Sequence, residues 1–239
     1  MRSVTAEPSV NTMSNPIALV TGASRGLGRA LAAGLVREGY TLIADARDEA
    51  ALTAAADEDG FALAVPGDVT NPEHRAELRQ AADKLGGLDL LVNNAGTLGA
   101  HPLPAMADYP VDELRTAFEV NVVAPIALTQ LLLPSLRVRG GAVLNVTSDA
   151  AVEPYAGWGG YGAAKAALEQ ASSVLAAEEL TVRVWWVDPG DLRTDMHQQA
   201  FPGEDISDRP LPVSVVPGFV RLVTERLPSG RYRATELVS

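Results

Sequence analysis

The sequence contains no cysteine, and aromatic side chains make up only 5% of its 239 residues. The missing thiols exclude disulfides, metal sites built on thiolates and a cysteine nucleophile. Basic residues are also scarce, because 19 lysines and arginines stand against 30 acidic residues, for a net charge of −11. Such a surface disfavours broad binding to nucleic acid or to anionic membranes. A small phosphate-bearing ligand needs only a local positive group and is not excluded.

Long hydrophobic runs are missing as well. The longest, from Ala124 to Leu133, is interrupted by Pro, Thr and Gln and is shorter than the roughly 20 residues of a membrane span. Residues 1–15 contain no apolar stretch of the kind found in a secretory signal, and we interpret them as a flexible tail. The expected location is therefore the cytoplasm. Hydrophobic residues make up 47% of the chain, enough for one domain with a full core.

From residue 16 onward, short apolar runs alternate with longer stretches rich in Ala and Leu. The runs predict strands at 17–20, 41–44, 61–65, 88–92, 142–146 and 181–187, with a short strand near Tyr232. Helices are predicted at 29–37, 49–57, 72–85, 111–136, 163–178 and 215–225. Pro125 is expected to kink or divide the longest helix. This alternation predicts a single α/β domain over 16–239, a Rossmann-type doubly wound parallel sheet of about seven strands with helices on both faces.

A glycine-rich turn, Thr21-Gly22-Ala-Ser-Arg-Gly26-Leu-Gly28, lies where the first predicted strand passes into the first helix. Glycines let the backbone approach a pyrophosphate closely, and the helix N-terminus offers free N–H groups. The spacing G-x-x-x-G-x-G differs from the G-x-G-x-x-G of many dinucleotide folds. A glycine-rich turn alone also fits a purely structural role. Its place between a strand and a helix favours phosphate binding.

The end of the second predicted strand should decide between NAD and NADP, because the adenosine ribose lies there in dinucleotide folds. An acidic residue at this point binds the 2′-hydroxyl of NAD, and an arginine binds the 2′-phosphate of NADP. The sequence offers both, as Asp45 and Arg47. Arg25 in the glycine loop adds a second possible charge-assisted bond to a phosphate. We therefore interpret Asp45 as a solvated carboxylate at a strand end and predict NADP(H).

Tyr161 and Lys165 lie four residues apart in Tyr161-Gly-Ala-Ala-Lys165, on one face of a helix. The ordinary tyrosine pKa of about 10 is too high for a base at neutral pH, and a neighbouring cation lowers it. Most Tyr/Lys pairs at this spacing do no chemistry. Here, however, Ser148 precedes Tyr161 by 13 residues, directly after the fifth predicted strand.

Taken together, these motifs resemble the short-chain dehydrogenase/reductase family from about Pro16 to Arg233. The matching motifs are, in chain order, the glycine loop, Asp68-Val69, Asn93-Asn-Ala-Gly96, Asn121, Ser148 with Tyr161 and Lys165, and Pro189-Gly190 followed by Thr194. The resemblance implies an NADP(H)-dependent enzyme that interconverts a carbonyl and an alcohol on a small molecule. It also implies a homodimer or homotetramer built through the helices at 111–136 and 163–178. The segment 191–217 resembles the family's variable substrate lid.

The resemblance further implies a role for each site residue. Ser148 would hydrogen-bond the substrate oxygen, and Tyr161 would exchange a proton with it. Lys165 would lower the pKa of Tyr161 and hold the nicotinamide ribose, while Asn121 would anchor a water that links Lys165 to solvent. The implied cofactor contacts are Gly22, Ser24, Arg25, Gly26, Leu27, Gly28, Arg47, Asp68, Val69, Asn94, Ala95, Gly96, Tyr161, Lys165, Pro189, Gly190 and Thr194.

Histidines and tryptophans have weaker claims to function. Metal-ligand spacing does not occur among the three histidines, His74, His101 and His197. We predict His74 to be exposed on its helix and inert, and the other two to lie in loops near the pocket. Trp158 is predicted to wall the substrate pocket. Trp185 and Trp186 stand where the family usually has smaller or polar residues, and we interpret both as buried packing.

Two other functions stay open. A non-catalytic NADP-binding sensor or scaffold would keep the fold without turnover, but it would not need the set of serine, tyrosine, lysine and asparagine. An epimerase or dehydratase could use the same tyrosine and lysine. Only about fifty residues follow Pro189, however, which leaves little room for the nucleotide-sugar subdomain that such enzymes tend to carry. Carbonyl–alcohol interconversion is therefore the preferred prediction.

Overall fold

Seven strands form one parallel sheet in the computed structural model, which describes residues 15–238. The strands are β1 (Ile17–Thr21), β2 (Thr41–Ala46), β3 (Leu63–Pro66), β4 (Leu90–Asn93), β5 (Ala142–Val146), β6 (Arg183–Asp188) and β7 (Gly230–Arg233). Their order across the sheet is β3-β2-β1-β4-β5-β6-β7, which confirms the predicted doubly wound arrangement. Residues 1–14 of the predicted tail lie outside the described residues.

Helices connect the strands and cover both faces of the sheet. They are α1 (Gly26–Arg37), α2 (Glu49–Asp59), α3 (Pro72–Leu85), α4 (Val111–Phe118), α5 (Ala124–Arg139), α6 (Gly159–Glu178), α7 (Asp195–Ala200) and α8 (Val216–Thr224). Helices α1 and α6 begin earlier than predicted, at Gly26 and Gly159. Glycine has a low intrinsic helix propensity, so the sequence pattern places both starts too late, and tertiary packing overrides that preference.

Pro125 does not divide the long helix as predicted. A π-helical segment, Glu119–Val123, joins α4 to α5 without a break, and Pro125 lies in the first turn that follows it. A proline ring would clash with the carbonyl four residues earlier in a regular helix, which here belongs to Asn121. The wider π turn alters the local hydrogen-bond pattern at that residue. The same turn determines the position of the Asn121 side chain.

Two apolar layers enclose the sheet. Because successive strand residues point to opposite faces, Ala18 and Val20 join one layer, whereas Ile17 and Leu19 join the other. The first layer packs against α1, α2 and α8, and the second against α3, α5 and α6. Coverage of both faces explains why the strand sequences are continuously apolar.

The continuous helical stretch Val111–Arg139 is long and apolar enough, by length and composition, to cross a membrane. Half of its apolar window is buried inside the fold, and Leu128, Leu132 and Leu136 pack against the sheet. Core helices pass the same test, so the helix is weak evidence for a span.

Trp185 and Trp186 point to opposite faces of β6. Trp185 is completely buried, and its indole N–H donates to the carbonyl oxygens of Leu227 and Pro228 at 3.0 and 3.1 Å. The prediction of buried packing is confirmed for Trp185. It is wrong for Trp186, which is only partly buried and lies on the strand next to the edge strand β7.

Asp45, at the end of β2, departs most from the sequence-based expectation. Its carboxylate is 1% exposed and lies 2.6 Å from Nε2 of His74, which is also buried. The predictions of a solvated Asp45 and an exposed His74 are both wrong. Asp45 shares its strand face with Ile43, which packs beneath α3, and His74 shares its helix face with the buried Leu78. The two polar side chains therefore meet between β2 and α3.

We expect Asp45→Asn to flatten the dependence of folding stability on pH. The hydrogen bond to Asp45 raises the pKa of His74 above its ordinary value of 6.5. The resulting stabilisation is complete below that value and is lost as the pH rises through the higher pKa of the folded state. Denaturant unfolding between about pH 6 and pH 9 measures the slope, and the variant should lose about 1–3 kcal/mol at the acidic end.

Asp89→Asn is the matched control for Asp45→Asn. Asp89 pairs with Arg139 at 2.8 Å, and an arginine keeps its charge throughout this range of pH. This control should therefore lower stability without changing the slope between about pH 6 and pH 9. An unchanged slope in Asp45→Asn would contradict the assignment of the titrating proton to the His74–Asp45 pair.

Candidate active site

A cleft of about 1690 Å³ runs along the carboxyl ends of the strands, where the strand order reverses between β1 and β4. It exceeds the ~300–1,000 Å³ typical of a pocket for one small ligand, so a dinucleotide and a second molecule can share it. All of the predicted cofactor contacts line the cleft, as does Ser148. Asn121 is the exception among the predicted site residues, because it is buried behind the cleft wall.

The glycine loop and the start of α1 form the phosphate end of the cleft. Gly22 and Gly26 have φ values of +67° and +57°, in the left-handed region that favours glycine. A Cβ on Gly28 would lie 2.2 Å from the Gly22 carbonyl oxygen, so no side chain fits there. Helix α1 has no side-chain cap and no acidic residue in its first turn. Its first N–H groups are therefore available to an anionic ligand.

Thr21 and Asn94 hold the glycine loop against the end of β4. The Thr21 hydroxyl oxygen accepts hydrogen bonds from the backbone N–H groups of Asn94 and Ala95, both at 3.0 Å. The Asn94 side-chain amide donates to the Thr21 carbonyl at 2.9 Å. Asn93 points into the fold instead and donates to Asn145 at 2.8 Å. The turn thus joins the glycine loop to the centre of the sheet.

Arg47 is the exposed cation at the end of β2. The Asp45 carboxylate is paired with His74 at 2.6 Å, although Asp45 is one of the residues that line the cleft. Arg47 also lines the cleft, and no acidic group between residues 15 and 238 lies within 4.0 Å of its guanidinium. Arg25 lies across the cleft and pairs with Asp195 of α7 at 3.1 Å, with both side chains largely exposed. Of the two arginines predicted at this end, Arg47 is the one without a direct ion pair among residues 15–238; its charge does reach Asp68, whose pKa is lowered, against the opposing effect of burial, by hydrogen bonds from Thr70 and, to a smaller extent, by Arg47.

Tyr161 and Lys165 lie in the first turns of α6 and are both buried. The Lys165 Nζ donates to the Val146 carbonyl at 2.8 Å and lies 5.6 Å from the centroid of the Tyr161 ring. Burial raises the pKa of the Tyr161 phenol. A hydrogen bond with the Ser148 hydroxyl offsets part of this increase, and the negative charge of Asp149 adds to it. Burial also lowers the pKa of Lys165 to about 8. The expected lowering of the phenol pKa by Lys165 is not seen here, because the ammonium is bonded to a carbonyl rather than to the phenol.

Asn121 is held in the π-helical segment and is 1% exposed. Its side-chain oxygen accepts from the Thr97 N–H at 3.0 Å, and its amide donates to the Thr97 carbonyl at 2.8 Å. A Cβ on Gly96 would lie 3.0 Å from the Asn121 oxygen and 3.8 Å from Lys165 Nζ. The absence of a side chain at Gly96 keeps the space between Asn121 and Lys165 open. The water predicted to link them stays a prediction.

Aromatic side chains wall the other end of the cleft, next to Tyr161. The Trp158 ring lies 5.7 Å from the Tyr161 ring and 5.9 Å from the Phe201 ring, between centroids. Trp158 lines the cleft, as the predicted pocket wall requires. His101 also lines the cleft, from a loop. His197, predicted to lie in a loop, belongs instead to α7. The Thr194 hydroxyl caps that helix by accepting a hydrogen bond from the His197 N–H at 3.2 Å.

Asp149 and Tyr155 line the same end of the cleft, and the sequence analysis missed both. The Ser148 hydroxyl donates to Asp149 Oδ1 at 3.0 Å, and the Tyr155 hydroxyl donates to Asp149 Oδ2 at 2.9 Å. The available signal for Asp149 was its place directly after Ser148, at the carboxyl end of β5. No comparable signal marked Tyr155, which is brought next to Asp149 by the loop before α6.

Known proteins resemble this chain in sequence and in structure. A family model described as short chain dehydrogenase matches residues 16–205. The chain is 37% identical over 182 residues to serine 3-dehydrogenase of Rhizobium radiobacter, covering 74% of this chain and 72% of the relative. It is 37% identical over 201 residues to sepiapterin reductase of Meriones unguiculatus, covering 77% of each. A Shigella flexneri 2a structure, described as a short chain dehydrogenase complexed with NADP, has a TM-score of 0.85 at 31% identity, covering 93% of this chain and 98% of that one.

We expect Asn121→Ala to lower the free energy of unfolding by about 2–4 kcal/mol, because the N–H and the carbonyl of Thr97 would both lose their partner. Chemical denaturation measures the loss. Asn71→Ala is the control, since it removes an exposed cap of α3 that accepts from Glu73 and should cost only about 1 kcal/mol. A loss in Asn121→Ala no larger than in the control would mean that Thr97 finds other partners.

Proposed function

Because the chain belongs to the short-chain dehydrogenase/reductase family of oxidoreductases, we propose that it interconverts a carbonyl and an alcohol by hydride transfer with NADP(H). The convergence of Ser148, Tyr161 and Lys165 in one cleft with the uncapped N-terminus of α1 carries this proposal. A phenol that exchanges a proton and a site for a dinucleotide phosphate are the two requirements of such a reaction.

The lining of the cleft suits NADP(H). The free N–H groups at the start of α1 are suited to the pyrophosphate, and the exposed Arg47 is suited to the 2′-phosphate through a charge-assisted bond. One oxygen of the Asp45 carboxylate is already paired with His74, which weighs against its binding the 2′-hydroxyl of NAD. Asp68 and Val69 line the cleft where the adenine would lie. Gly190 and Thr194 line it where the nicotinamide would lie. The NADP complex of the Shigella flexneri protein supports the same choice.

The side chains beside the aromatic wall would hydrogen-bond the substrate oxygen and transfer its proton. A bound nicotinamide dinucleotide would supply or accept the hydride. The raised pKa of Tyr161 keeps the phenol protonated at neutral pH, so it can donate its proton to the oxygen of a carbonyl that is being reduced. The Ser148 hydroxyl would bond the same oxygen, turning from Asp149 to do so. The buried Lys165 ammonium would stabilise the phenolate that remains once it leaves the Val146 carbonyl, and it would hold the nicotinamide ribose.

We also infer that the segment 191–217 acts as a lid over the substrate. Leu192, Met196 and Leu211 line the cleft from this segment, and the Arg25–Asp195 ion pair connects it to the glycine loop. The names of the two enzyme relatives point to different substrates, serine and sepiapterin. A variable lid is consistent with that difference, because loops accept changes that the sheet does not.

Self-association is a further part of the proposal. We infer a homodimer or homotetramer that forms through α4 with α5 and through α6. Exposed apolar side chains lie along both helical stretches: Val123 and Val138 on the continuous stretch of α4 and α5, and Val174 on α6. Burial of such surface favours association.

Tyr161→Phe should reduce kcat by about 10²–10⁴-fold, because it removes the proton donor and leaves the shape of the side chain unchanged. NADPH oxidation in the presence of a panel of ketones, aldehydes and quinones measures turnover, and fluorescence titration measures NADPH binding. Binding should change by less than about threefold.

Tyr40→Phe is the control for Tyr161→Phe, since Tyr40 precedes β2 at the opposite end of the sheet. It should leave both turnover and binding unchanged. Unchanged turnover in Tyr161→Phe would refute the assigned mechanism. Tight NADPH binding by the wild type without turnover of any compound in the panel would favour the sensor.

Arg47→Ala should weaken NADPH binding by about 10- to 100-fold and NADH binding by less than about twofold, because only NADPH carries the 2′-phosphate. Titration of both cofactors measures the two dissociation constants. Arg79→Ala, on the exposed face of α3, removes one positive charge outside the cleft and should affect neither. Equal weakening of NADPH and NADH by Arg47→Ala would refute the 2′-phosphate assignment.

A further inference from the structure

Asp149 is held in a defined position beside the catalytic serine. It is the first residue of a short 3₁₀ segment, Asp149–Ala151, at the carboxyl end of β5. Its two carboxylate oxygens accept hydrogen bonds from two different hydroxyls, Ser148 at 3.0 Å and Tyr155 at 2.9 Å. The carboxylate is therefore fixed within the cleft, one hydrogen bond away from the hydroxyl that binds the substrate oxygen.

Asp149 has no direct ion pair with a cation among the described residues, although Arg231 bonds the Ser148 carbonyl at 3.3 Å. Among residues 15–238, no basic side chain lies within 4.0 Å of its carboxylate. Other carboxylates near the site do have such partners: Asp188 lies 3.7 Å from both Arg231 and Arg233, and Asp191 lies 3.9 Å from Arg209. A fixed carboxylate without a cationic partner attracts a positively charged ligand, most strongly where water is partly excluded.

Two basic residues that line the cleft, His197 and Arg193, interact with other carboxylates. His197 lies 3.9 Å from Asp191. The pKa of Asp205 is lowered mainly by hydrogen bonds from Ser207 and, to a smaller extent, by the charge of Arg193. The negative charge of Asp149 does reach the catalytic phenol, since it adds to the effect of burial in raising the pKa of Tyr161.

Aromatic side chains line the same cleft as Asp149. Tyr155 bonds the carboxylate directly, and Trp158 lies between the rings of Tyr161 and Phe201, 5.7 and 5.9 Å away. Aromatic faces attract ammonium groups through their quadrupole, and the attraction grows as water is removed. A carboxylate combined with aromatic walls is thus suited to a cation rather than to an anion.

We propose that Asp149 selects substrates with a protonated amino group on the carbon next to the reacting one, namely vicinal amino alcohols and the corresponding α-amino carbonyl compounds. This inference rests on the proposed function. Asp149 Oδ1 is one hydrogen bond from the Ser148 hydroxyl, which in turn bonds the reacting oxygen, so Oδ1 lies within roughly 6 Å of that oxygen and an ammonium bound to it must sit close to the reacting carbon. An amino group on the neighbouring carbon meets this limit.

The same contact links substrate recognition to the chemistry. When the ammonium group binds Asp149, the Ser148 hydroxyl is released from the carboxylate and can donate to the substrate oxygen. In the oxidation of an amino alcohol, the hydride of the carbinol C–H bond passes to NADP⁺, and the O–H proton leaves through Tyr161. The products are the α-amino ketone, NADPH and one proton, and the amino group is unchanged.

Three benzylic alcohols that differ in one charged group test the proposal. They are 2-amino-1-phenylethanol, 1-phenyl-1,2-ethanediol and 3-hydroxy-3-phenylpropanoate, which are cationic, neutral and anionic at neutral pH. The wild type should oxidise the amino alcohol with the highest kcat/KM and the anion with the lowest. Asp149→Asn should lower kcat/KM for the amino alcohol by about 10- to 100-fold and for the diol by less than about threefold.

Two further variants separate the charge of Asp149 from its position. Glu153→Gln removes an exposed charge from the same loop but outside the cleft, and it should keep the preference for the amino alcohol. Tyr155→Phe frees one oxygen of Asp149 but leaves its charge, so the preference should also persist. Thermal unfolding of each variant checks that the fold is intact.

The outcomes distinguish this inference from the proposed function. Equal losses with all three alcohols in Asp149→Asn would overturn it, because Asp149 would then only position Ser148. Oxidation of the diol, but not of the amino alcohol, by the wild type would also overturn it and leave the proposed function standing. Failure of the wild type to turn over any compound, including the carbonyl panel, would overturn both.

Discussion

Burial of both faces of the sheet is the constraint on which the rest of this structure depends. Helices α1, α2 and α8 cover one face, and α3, α5 and α6 cover the other. A ligand can therefore reach the strands only at their ends, and the carboxyl ends are where β1 and β4 diverge at the switch in strand order. The glycine loop, the serine after β5 and the loop after β6 all lie at that edge, because each follows the end of a strand.

Carboxylates are placed differently at the two ends of the cleft. At the phosphate end, the Asp45 carboxylate is paired with His74, whereas the positive charge of Arg47 is exposed to a ligand. At the substrate end, Asp188 is held near two arginines, while Asp149 has only hydroxyl partners. The cleft thus presents a positive group at one end and a negative group at the other, which suits an anionic cofactor and a cationic substrate.

The strands, the helices and the order of the motifs could be predicted from the sequence, because they depend on local periodicity and on spacing along the chain. Tyr161 and Lys165 are one helical turn apart, so their proximity needs no tertiary information. The π-helical segment before Pro125 could not be predicted in this way. It depends on how the proline ring meets the preceding turn while the helix is held against the sheet.

The sequence by itself determined the fold class, the glycine loop and the residues that converge in the candidate active site. Only the tertiary structure decided the environment of the charges. Asp45 and Arg47 are two residues apart at one strand end, and the packing of α3 against β2 pairs Asp45 with His74 while Arg47 stays exposed. The contact between Asp149 and Tyr155 follows likewise from the path of the loop before α6. Periodicity reports which face of an element is apolar, but the partner of a polar side chain depends on which element packs against it.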